Sequence, residues 1–198
     1  MTGKYEHTPI PLLDVAIEIA DERGMEKPTG LKWGLRAVHA DFTSKHGFRW
    51  AFPGFWSEAP GPIIKGNLDP CPSAVGDGLC AAVTWAGMAS GSIPAKTILL
   101  VGWRTRDLLA WGDGKVRVRR AYVRDVLDVT ALAKRAANAN LRGADLTRAR
   151  LHNATLAGTD LRDANLDGVN LSAARVSEAR LDLAGAVQLA RGLGAVVE

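Results

Sequence analysis

Leucine returns at every fifth position through the last third of the chain. The stretch ANLRGADLTRARLHNATLAGTDLRDANL, residues 139–166, shows this pattern, and a small residue, most often alanine, stands two positions before each leucine. A helix would spread residues five apart around its circumference, and a straight strand would send successive leucines to opposite faces. The spacing therefore predicts a chain that turns a corner every five residues, with each unit stable only on its neighbours. The predicted inward residues are Leu141, Leu146, Leu151, Leu156, Leu161, Leu166, Leu171, Val176 and Leu181.

This pattern resembles the A(D/N)LXX motif of pentapeptide-repeat proteins over residues 139–183. The resemblance implies a right-handed four-sided β-helix. The tail LDLAGAVQLARGLGAVVE resembles the short helical cap that closes such solenoids. The resemblance also implies a homodimer formed through the C-terminal end.

The composition changes near residue 132. All six tryptophans lie at or before Trp111, whereas the tail consists mainly of Ala, Leu, Asn, Asp, Arg and Gly. Such a change marks a domain boundary, so we divide the chain into residues 1–132 and residues 133–198. The expected fold class is an α+β N-terminal domain followed by a short right-handed quadrilateral β-helix with a C-terminal helical cap.

The N-terminal part mixes helix and strand patterns. PLLDVAIEIADERG has apolar residues at helical spacing and predicts a helix that ends at Gly24, and helix formers predict a second helix from Leu79 to Ala89. AKTILLVGW and KVRVRRAYVRDVLDV have the β-branched and alternating patterns of strands, and a hairpin-type turn separates them. Prolines between Pro53 and Pro72 predict a long loop region.

Three segments of this part, GLRAVHADFTSKHGFRW, CPSAVGDGLCAA and KVRVRRAYVRDVLD, resemble a small domain of unknown function found in actinobacterial and bacteriophage proteins. The resemblance carries no activity with it. It implies a phage or prophage origin.

Charge and hydropathy exclude several classes of protein. The formal net charge of +4 is spread along the chain, whereas a dedicated nucleic-acid binder clusters its Lys and Arg. No apolar run approaches the roughly 20 residues of a membrane span. We therefore expect a cytoplasmic protein that binds neither membrane nor nucleic acid. In that compartment Cys71 and Cys80 are expected to be reduced thiols, although they could close one small loop.

Motifs for catalysis or cofactors are weak, so we expect no cofactor and no metal, and a non-catalytic protein is favoured over an enzyme. GDGLCA fits a dinucleotide fingerprint but does not follow a strand. A zinc site from both cysteines with His39 and His46 matches no standard ligand spacing. An acid and base pair of His39 with Asp41, Glu58 or Asp77 would depend on the fold bringing them together.

The stretch FRWAFPGFWSEAPGP is rich in aromatic residues. Phe48, Trp50 and Phe52 alternate, as on one buried face of a strand. Phe55 and Trp56 follow on a predicted loop, where they could form a recognition platform, with burial in the core as the alternative.

One basic stripe is present in KVRVRRAYVR. Lys115, Arg117 and Arg119 share one face of the predicted strand. This face is either solvated or a contact for phosphate or an acidic partner.

Three functions follow from these features. The favoured one is a non-catalytic interaction or scaffold protein with an unidentified protein partner, in which the β-helix serves as a rigid stalk or dimerisation element. The second is a nucleotide-binding module or enzyme in the N-terminal domain. The third, which the resemblance to pentapeptide-repeat proteins implies, is a gyrase inhibitor that mimics DNA, and it is disfavoured because acidic and basic residues balance in the repeats.

Overall fold

The architecture comes from a computed structural model. It describes residues 11–72, 74, 76–84, 87, 93, 96–112, 114–135 and 141–197. Three helices and seven strands are named within these ranges, together with a 3-10 turn at Thr105–Asp107. In chain order they are α1 (Pro11–Glu22), β1 (Lys32–Val38), β2 (Trp56–Glu58), β3 (Leu79–Ala82), β4 (Thr97–Trp103), β5 (Leu108–Gly112), β6 (Lys115–Val118), β7 (Arg120–Asp128), α2 (Val129–Ala133) and α3 (Leu183–Gly192).

All seven strands form one sheet in the order β2-β7-β4-β1-β3-β6-β5. Every neighbouring pair is antiparallel. β1 and β4 pair along their whole lengths, from Lys32 opposite Trp103 to Val38 opposite Thr97. The sheet is open, and β2 and β5 are its edge strands.

Both faces of the sheet are covered, because successive side chains of a strand point to opposite sides. Ile98 and Leu100 of β4 belong to an apolar cluster that also contains α1, α2 and the repeat leucines. Leu99 and Val101 belong to a second cluster, which contains Trp50 from the connection between β1 and β2. The continuous apolar run of β4 is therefore buried on both sides.

The helices are few and short. α1 forms where the apolar spacing predicts a helix, and its chain reverses at Gly24, whose φ of +67° suits glycine. The backbone N–H of Met25 closes this end by donating to the carbonyl of Ala20 at 3.0 Å. Among the described residues, no helix has the length and apolar character that crossing a bilayer requires.

The predicted helix from Leu79 to Ala89 is wrong at its start, because Leu79–Ala82 is the strand β3. All four of its residues are buried, and it pairs with β1 through Leu35 and with β6 through Val118. Pairing on both sides outweighs the weak helix propensity of Leu and Ala. Of the remaining stretch to Ala89, residues 85, 86, 88 and 89 lie outside the described residues.

The repeats are a series of turns joined by backbone hydrogen bonds. The N–H of Leu141 donates to the carbonyl of Asp160 at 2.8 Å, and that of Leu146 donates to Asn165 at 2.9 Å, so the chain returns beside itself after four units. Parallel contacts between units are isolated bridges, such as Asp145 with Asn165. Every fifth residue has a positive φ, namely Gly143, Arg148, Asn153, Gly158, Asp163, Gly168, Ala173 and Glu178.

The predicted fold class is therefore wrong. The regular structure is mostly one open antiparallel sheet of seven strands with few helices, and the expected right-handed quadrilateral β-helix following an α+β domain is not its architecture. A strand needs consecutive extended residues. Each repeat unit provides a single bridge before a residue with positive φ turns the chain, so no strand is named between residues 141 and 182.

The repeat leucines lie inside. From Leu141 to Leu171 each one is at most 1% exposed, whereas Val176 and Leu181 are partly buried beside them. One apolar cluster joins these leucines to α1, α2 and the sheet. The division of the chain at residue 132 stays a prediction, since the cluster contains residues from both sides of that boundary.

We expect Leu156→Ala to lower the free energy of unfolding by about 2–5 kcal/mol, because it leaves a cavity at a side chain that is fully buried. The matched control is Leu183→Ala, since Leu183 is 83% exposed. Urea denaturation measures both. Equal losses in the two variants would contradict the inward placement of Leu156.

Candidate functional site

An aromatic surface lies at the β2 edge of the sheet and consists of Phe52, Phe55 and Trp56. Their side chains are 63%, 64% and 36% exposed. Gly54 and Phe55 fix this turn to β7, because the Gly54 N–H donates to the carbonyl of Val123 at 2.9 Å and the Val123 N–H donates to that of Phe55 at 2.9 Å. The aromatic surface is thus exposed but held by backbone bonds.

The ring of Trp56 lies among cations. Arg120 and Arg104 place their guanidinium carbons 5.1 and 5.6 Å from its centroid, and the Tyr122 ring is 5.7 Å away. Cation–π contacts of this kind stabilise the ring by about 0.5–1 kcal/mol each at exposed sites. Asp107 holds Arg120 in turn, with an N···O distance of 3.2 Å.

The placement of the aromatic residues agrees only partly with the sequence prediction. Trp50 is buried at 3% exposure, but Phe52 is exposed and not part of a buried strand face. Its ring packs edge-on against Phe42, with centroids 5.4 Å apart. Phe55 lies in a turn, and Trp56 begins β2 instead of continuing a loop.

The predicted basic stripe does not form as one exposed face. Arg117 is only 1% exposed, and its guanidinium donates to Asp77 Oδ1 at 2.5 Å and to the carbonyls of Asp77, Asp69 and Asn67. β6 is an interior strand, and the loop after β2 covers this side of it. Arg119 is exposed, whereas Lys115 is partly buried.

Asp77 has a structural role. Besides pairing with Arg117, its carboxylate accepts from the Ile64 N–H at 2.8 Å and from Asn67 Nδ2 at 2.6 Å. The ion pair therefore ties the proline-rich loop to the sheet. The other two acids proposed as partners of His39 have different neighbours. Asp41 binds Thr43 and Arg49, and Glu58 of β2 lies opposite Arg120 of β7.

A cavity of about 50 Å³ lies between the second face of the sheet and the covering loops. Trp50 Nε1 and Arg36 Nε are buried beside it, and neither finds an acceptor among the described residues. The glycines of GDGLCA line the cavity, and a Cβ at Gly76 would lie 2.1 Å from the Gly61 carbonyl oxygen. These glycines thus serve close packing. The lining residues include Arg36, Ser44, His46, Phe48, Trp50 and Cys80.

Of the two cysteines, Cys80 lines this cavity, and Cys71 directly precedes Pro72 of the lining. Cys71 is partly buried and Cys80 is buried, and they are thiols, not a disulfide. Lys115 Nζ lies 3.3 Å from Cys71 Sγ. Hydrogen bonds from Cys80 and Lys115 lower the pKa of Cys71 to about 6. The bond to Cys71, together with burial, raises the pKa of Cys80.

The described residues show neither a cluster of metal ligands nor a nucleotide-sized cavity beside Gly76. In the described part of the chain, no group of three or more His, Cys, Asp or Glu side chains is suited to a metal ion. Ligand pockets usually measure about 300–1,000 Å³, far more than the cavity beside Gly76. The charged or titratable side chains that line this cavity are Arg36, His46 and Cys80, and neither His39 nor Glu58 is among the lining residues.

Sequence reasoning missed the contacts between Arg117 and Asp77 and between Lys115 and Cys71. An arginine in an alternating strand has the same pattern whether its face meets water or a buried carboxylate. The partners are 40 and 44 residues apart in the chain, so no local spacing connects them.

Comparison with known proteins gives one match. The family model of pentapeptide repeats matches in eight copies, over residues 135–163 and 144–182. The chain carries pentapeptide repeats. They occupy roughly a quarter of it. No curated protein and no solved structure matches the chain. The resemblance of the N-terminal part to a phage and actinobacterial domain has no support from these comparisons.

We expect Asp77→Ala to destabilise the protein by about 3–5 kcal/mol, because it leaves the Arg117 charge buried without its partner. Replacing both, as Asp77→Ala with Arg117→Met, should recover part of this loss. Asp41→Ala breaks an exposed pair, which solvent screens, and should cost much less than Asp77→Ala. Urea denaturation of the three variants checks this, and a loss for Asp77→Ala no larger than for Asp41→Ala would contradict it.

Proposed function

We propose that this is a non-catalytic interaction protein that binds a protein partner through the aromatic surface Phe52, Phe55 and Trp56. The observation that carries the proposal is the exposure of these three residues, 36% to 64%, on β2 and the turn before it, which is bonded to the sheet. Exposed aromatic residues with neighbouring arginines are typical of the residues that dominate binding energy at protein interfaces.

The fixed backbone of this surface favours binding. Ordering a mobile loop costs free energy on association. Here the turn is already bonded to Val123, and Trp56 already lies beside two guanidinium groups. Folding therefore already orders this turn, so little further free energy is lost to ordering when a partner binds.

The charges around the surface indicate the chemistry of the partner. Arg104, Arg106, Arg119 and Arg120 lie on the adjoining turn and β7 region, whereas Asp107 is buried in its pair with Arg120. Glu58 of β2 and Glu26 beside Tyr122 are the exposed acids nearby, so four arginines face two carboxylates and the charge is positive on balance. A segment with a carboxylate beside an aromatic or aliphatic side chain would fit this surface, because opposite charges steer association and set specificity.

We further propose that the repeats support this domain as a rigid element and that a homodimer forms at the C-terminal end. Leu183, Leu193 and Val196 are exposed in and after α3, at 83%, 55% and 88%, and would supply the apolar contact. A cytoplasmic location, argued from the lack of an apolar span in the sequence, and a phage or prophage origin in actinobacteria, argued from the resemblance alone, complete the proposal.

The two alternatives have less support. The small cavity disfavours nucleotide binding. Mimicry of DNA needs an unbalanced acidic surface, whereas acids of the repeats are paired with arginines, as in Arg142 with Asp163 and Arg162 with Asp160.

The test is selection of a phage-displayed random peptide library on the immobilised full chain. We expect enriched peptides that place Asp or Glu beside an apolar residue. Phe55→Ala with Trp56→Ala should weaken a synthetic enriched peptide about thirtyfold, since hot-spot truncations cost about 2 kcal/mol or more. Fluorescence anisotropy measures the Kd.

Trp111→Ala is the matched control, because Trp111 is 53% exposed on the opposite edge strand, β5. It should leave the peptide's Kd unchanged. Phe55→Ala alone removes an exposed ring that lies outside β2. A weaker Kd of the peptide for this variant therefore reports the lost ring and not unfolding. The proposal fails if no peptide is enriched, or if enriched peptides bind the Phe55 and Trp56 variants as tightly as the wild type.

A further inference from the structure

We propose that Cys71 and Cys80 form a thiol–disulfide exchange site, in which Cys71 attacks a small-molecule disulfide and Cys80 resolves the mixed disulfide. This site lies on the β3 and β6 side of the sheet. The aromatic surface lies on β2, at the other edge. The inference is independent of the proposed function.

The fold brings the two thiols together from different elements. Cys80 lies in β3, opposite Arg117 of β6, and is 7% exposed. Cys71 lies on the loop that Arg117 holds through the carbonyls of Asn67 and Asp69. The N–H of Cys71 donates to Asp69 Oδ1 at 2.7 Å, which fixes its backbone as well. A hydrogen bond with the other thiol is the largest cause of the pKa shift of each cysteine, which places the two sulfur atoms near each other.

The surroundings assign a different task to each sulfur. Lys115 approaches Cys71 Sγ to 3.3 Å, and its ammonium stabilises the thiolate, which is the nucleophile in exchange. The Cys80 thiol donates a hydrogen bond to the same sulfur. The charge of Asp69 raises the pKa of Cys71, but by less than the hydrogen bonds lower it. Arg36 and Lys115 lower the pKa of Cys80, but by less than burial and Cys71 raise it.

Together these contacts lower the pKa of Cys71 and raise that of Cys80. The pair therefore gives up its first proton readily and its second reluctantly. At neutral pH Cys71 is a thiolate and Cys80 remains a protonated thiol. Cys71 is also the more exposed of the two, so a small disulfide reaches it first.

The reaction balances with a disulfide RSSR as the oxidant. The Cys71 thiolate attacks one sulfur of RSSR, a bond between that sulfur and Cys71 forms, and the S–S bond of RSSR breaks with release of one RS⁻. Cys80 then loses its proton to solvent and attacks Cys71 Sγ, which releases the second RS⁻ and leaves a Cys71–Cys80 disulfide. The two cysteines are oxidised by two electrons, and RSSR is reduced to two thiols.

The first test treats the full chain with oxidised glutathione and follows intact mass. Wild type should end as an intramolecular disulfide. Cys80→Ser should stop as a stable mixed disulfide with glutathione on Cys71, and Cys71→Ser should stay unmodified over the same time. Modification of Cys71→Ser as fast as Cys80→Ser, or a wild type that stops at the mixed disulfide, would overturn the proposal.

The second test measures the rate of iodoacetamide alkylation at Cys71 against pH, with the modified cysteine identified by peptide mapping. In wild type the rate should reach half its maximum near pH 6, in line with the pKa of about 6. Lys115→Gln should move this midpoint upward, and Lys115→Arg should keep it low. Lys65→Gln is the control, since Lys65 is an exposed lysine on the same loop.

A wild-type midpoint near the ordinary thiol pKa of about 8.5 would overturn the proposal. So would a Lys115→Gln profile that coincides with that of the wild type. Circular dichroism of each variant verifies that the chain is folded. Peptide binding at the aromatic surface is measured separately, so failure of one proposal leaves the other standing.

Discussion

The buried contact between Arg117 and Asp77 is the interaction on which the loops of the N-terminal part depend. The Arg117 side chain is 1% exposed and the Asp77 side chain 0%, and the guanidinium also binds the carbonyls of Asn67 and Asp69. A buried pair is tolerated when its remaining hydrogen bonds are made, and here they are made by loop backbone. Without this contact the proline-rich loop after β2 would lose its attachment to the sheet. Cys71 would then lose its place beside Lys115.

The same division between rigid sheet and irregular loop recurs at the other edge. The aromatic surface is also on a turn, and it too is fixed by backbone bonds to a strand, in this case to Val123 of β7. Binding and reactive residues commonly lie on loops that a rigid scaffold positions. The sheet can serve as that scaffold because both of its faces are buried, one by α1, α2 and the repeat leucines and the other by the loop that contains Trp50.

Sequence reasoning found the features that depend on local pattern. α1, β4 and the strand region of β6 and β7 follow from apolar spacing, and the five-residue period located the repeats. The prediction failed where pairing between residues distant in the chain determines the local structure. β3 was predicted as a helix because Leu79 and the alanines beside it favour helix locally, and only the neighbours β1 and β6 make it a strand. The β-helix was wrong because period alone does not distinguish a ladder of strands from turns with single bridges. The burial of Arg117 had no local signal, so the exposed stripe was predicted in its place.

One loop connects the two proposed sites: it begins after Glu58, the last residue of β2, and reaches Cys71 before β3. Whether one site affects the other depends on whether this loop has two arrangements, since coupling between sites requires a two-state element. The Gly61 N–H donates to the Gly76 carbonyl at 3.1 Å, and the Arg117 contact with Asp77 fixes the middle of the loop. Oxidation of the thiols joins two groups that already interact, since each shifts the pKa of the other. It therefore demands little movement of the loop, and the aromatic surface should bind its partner equally well in the dithiol and disulfide forms.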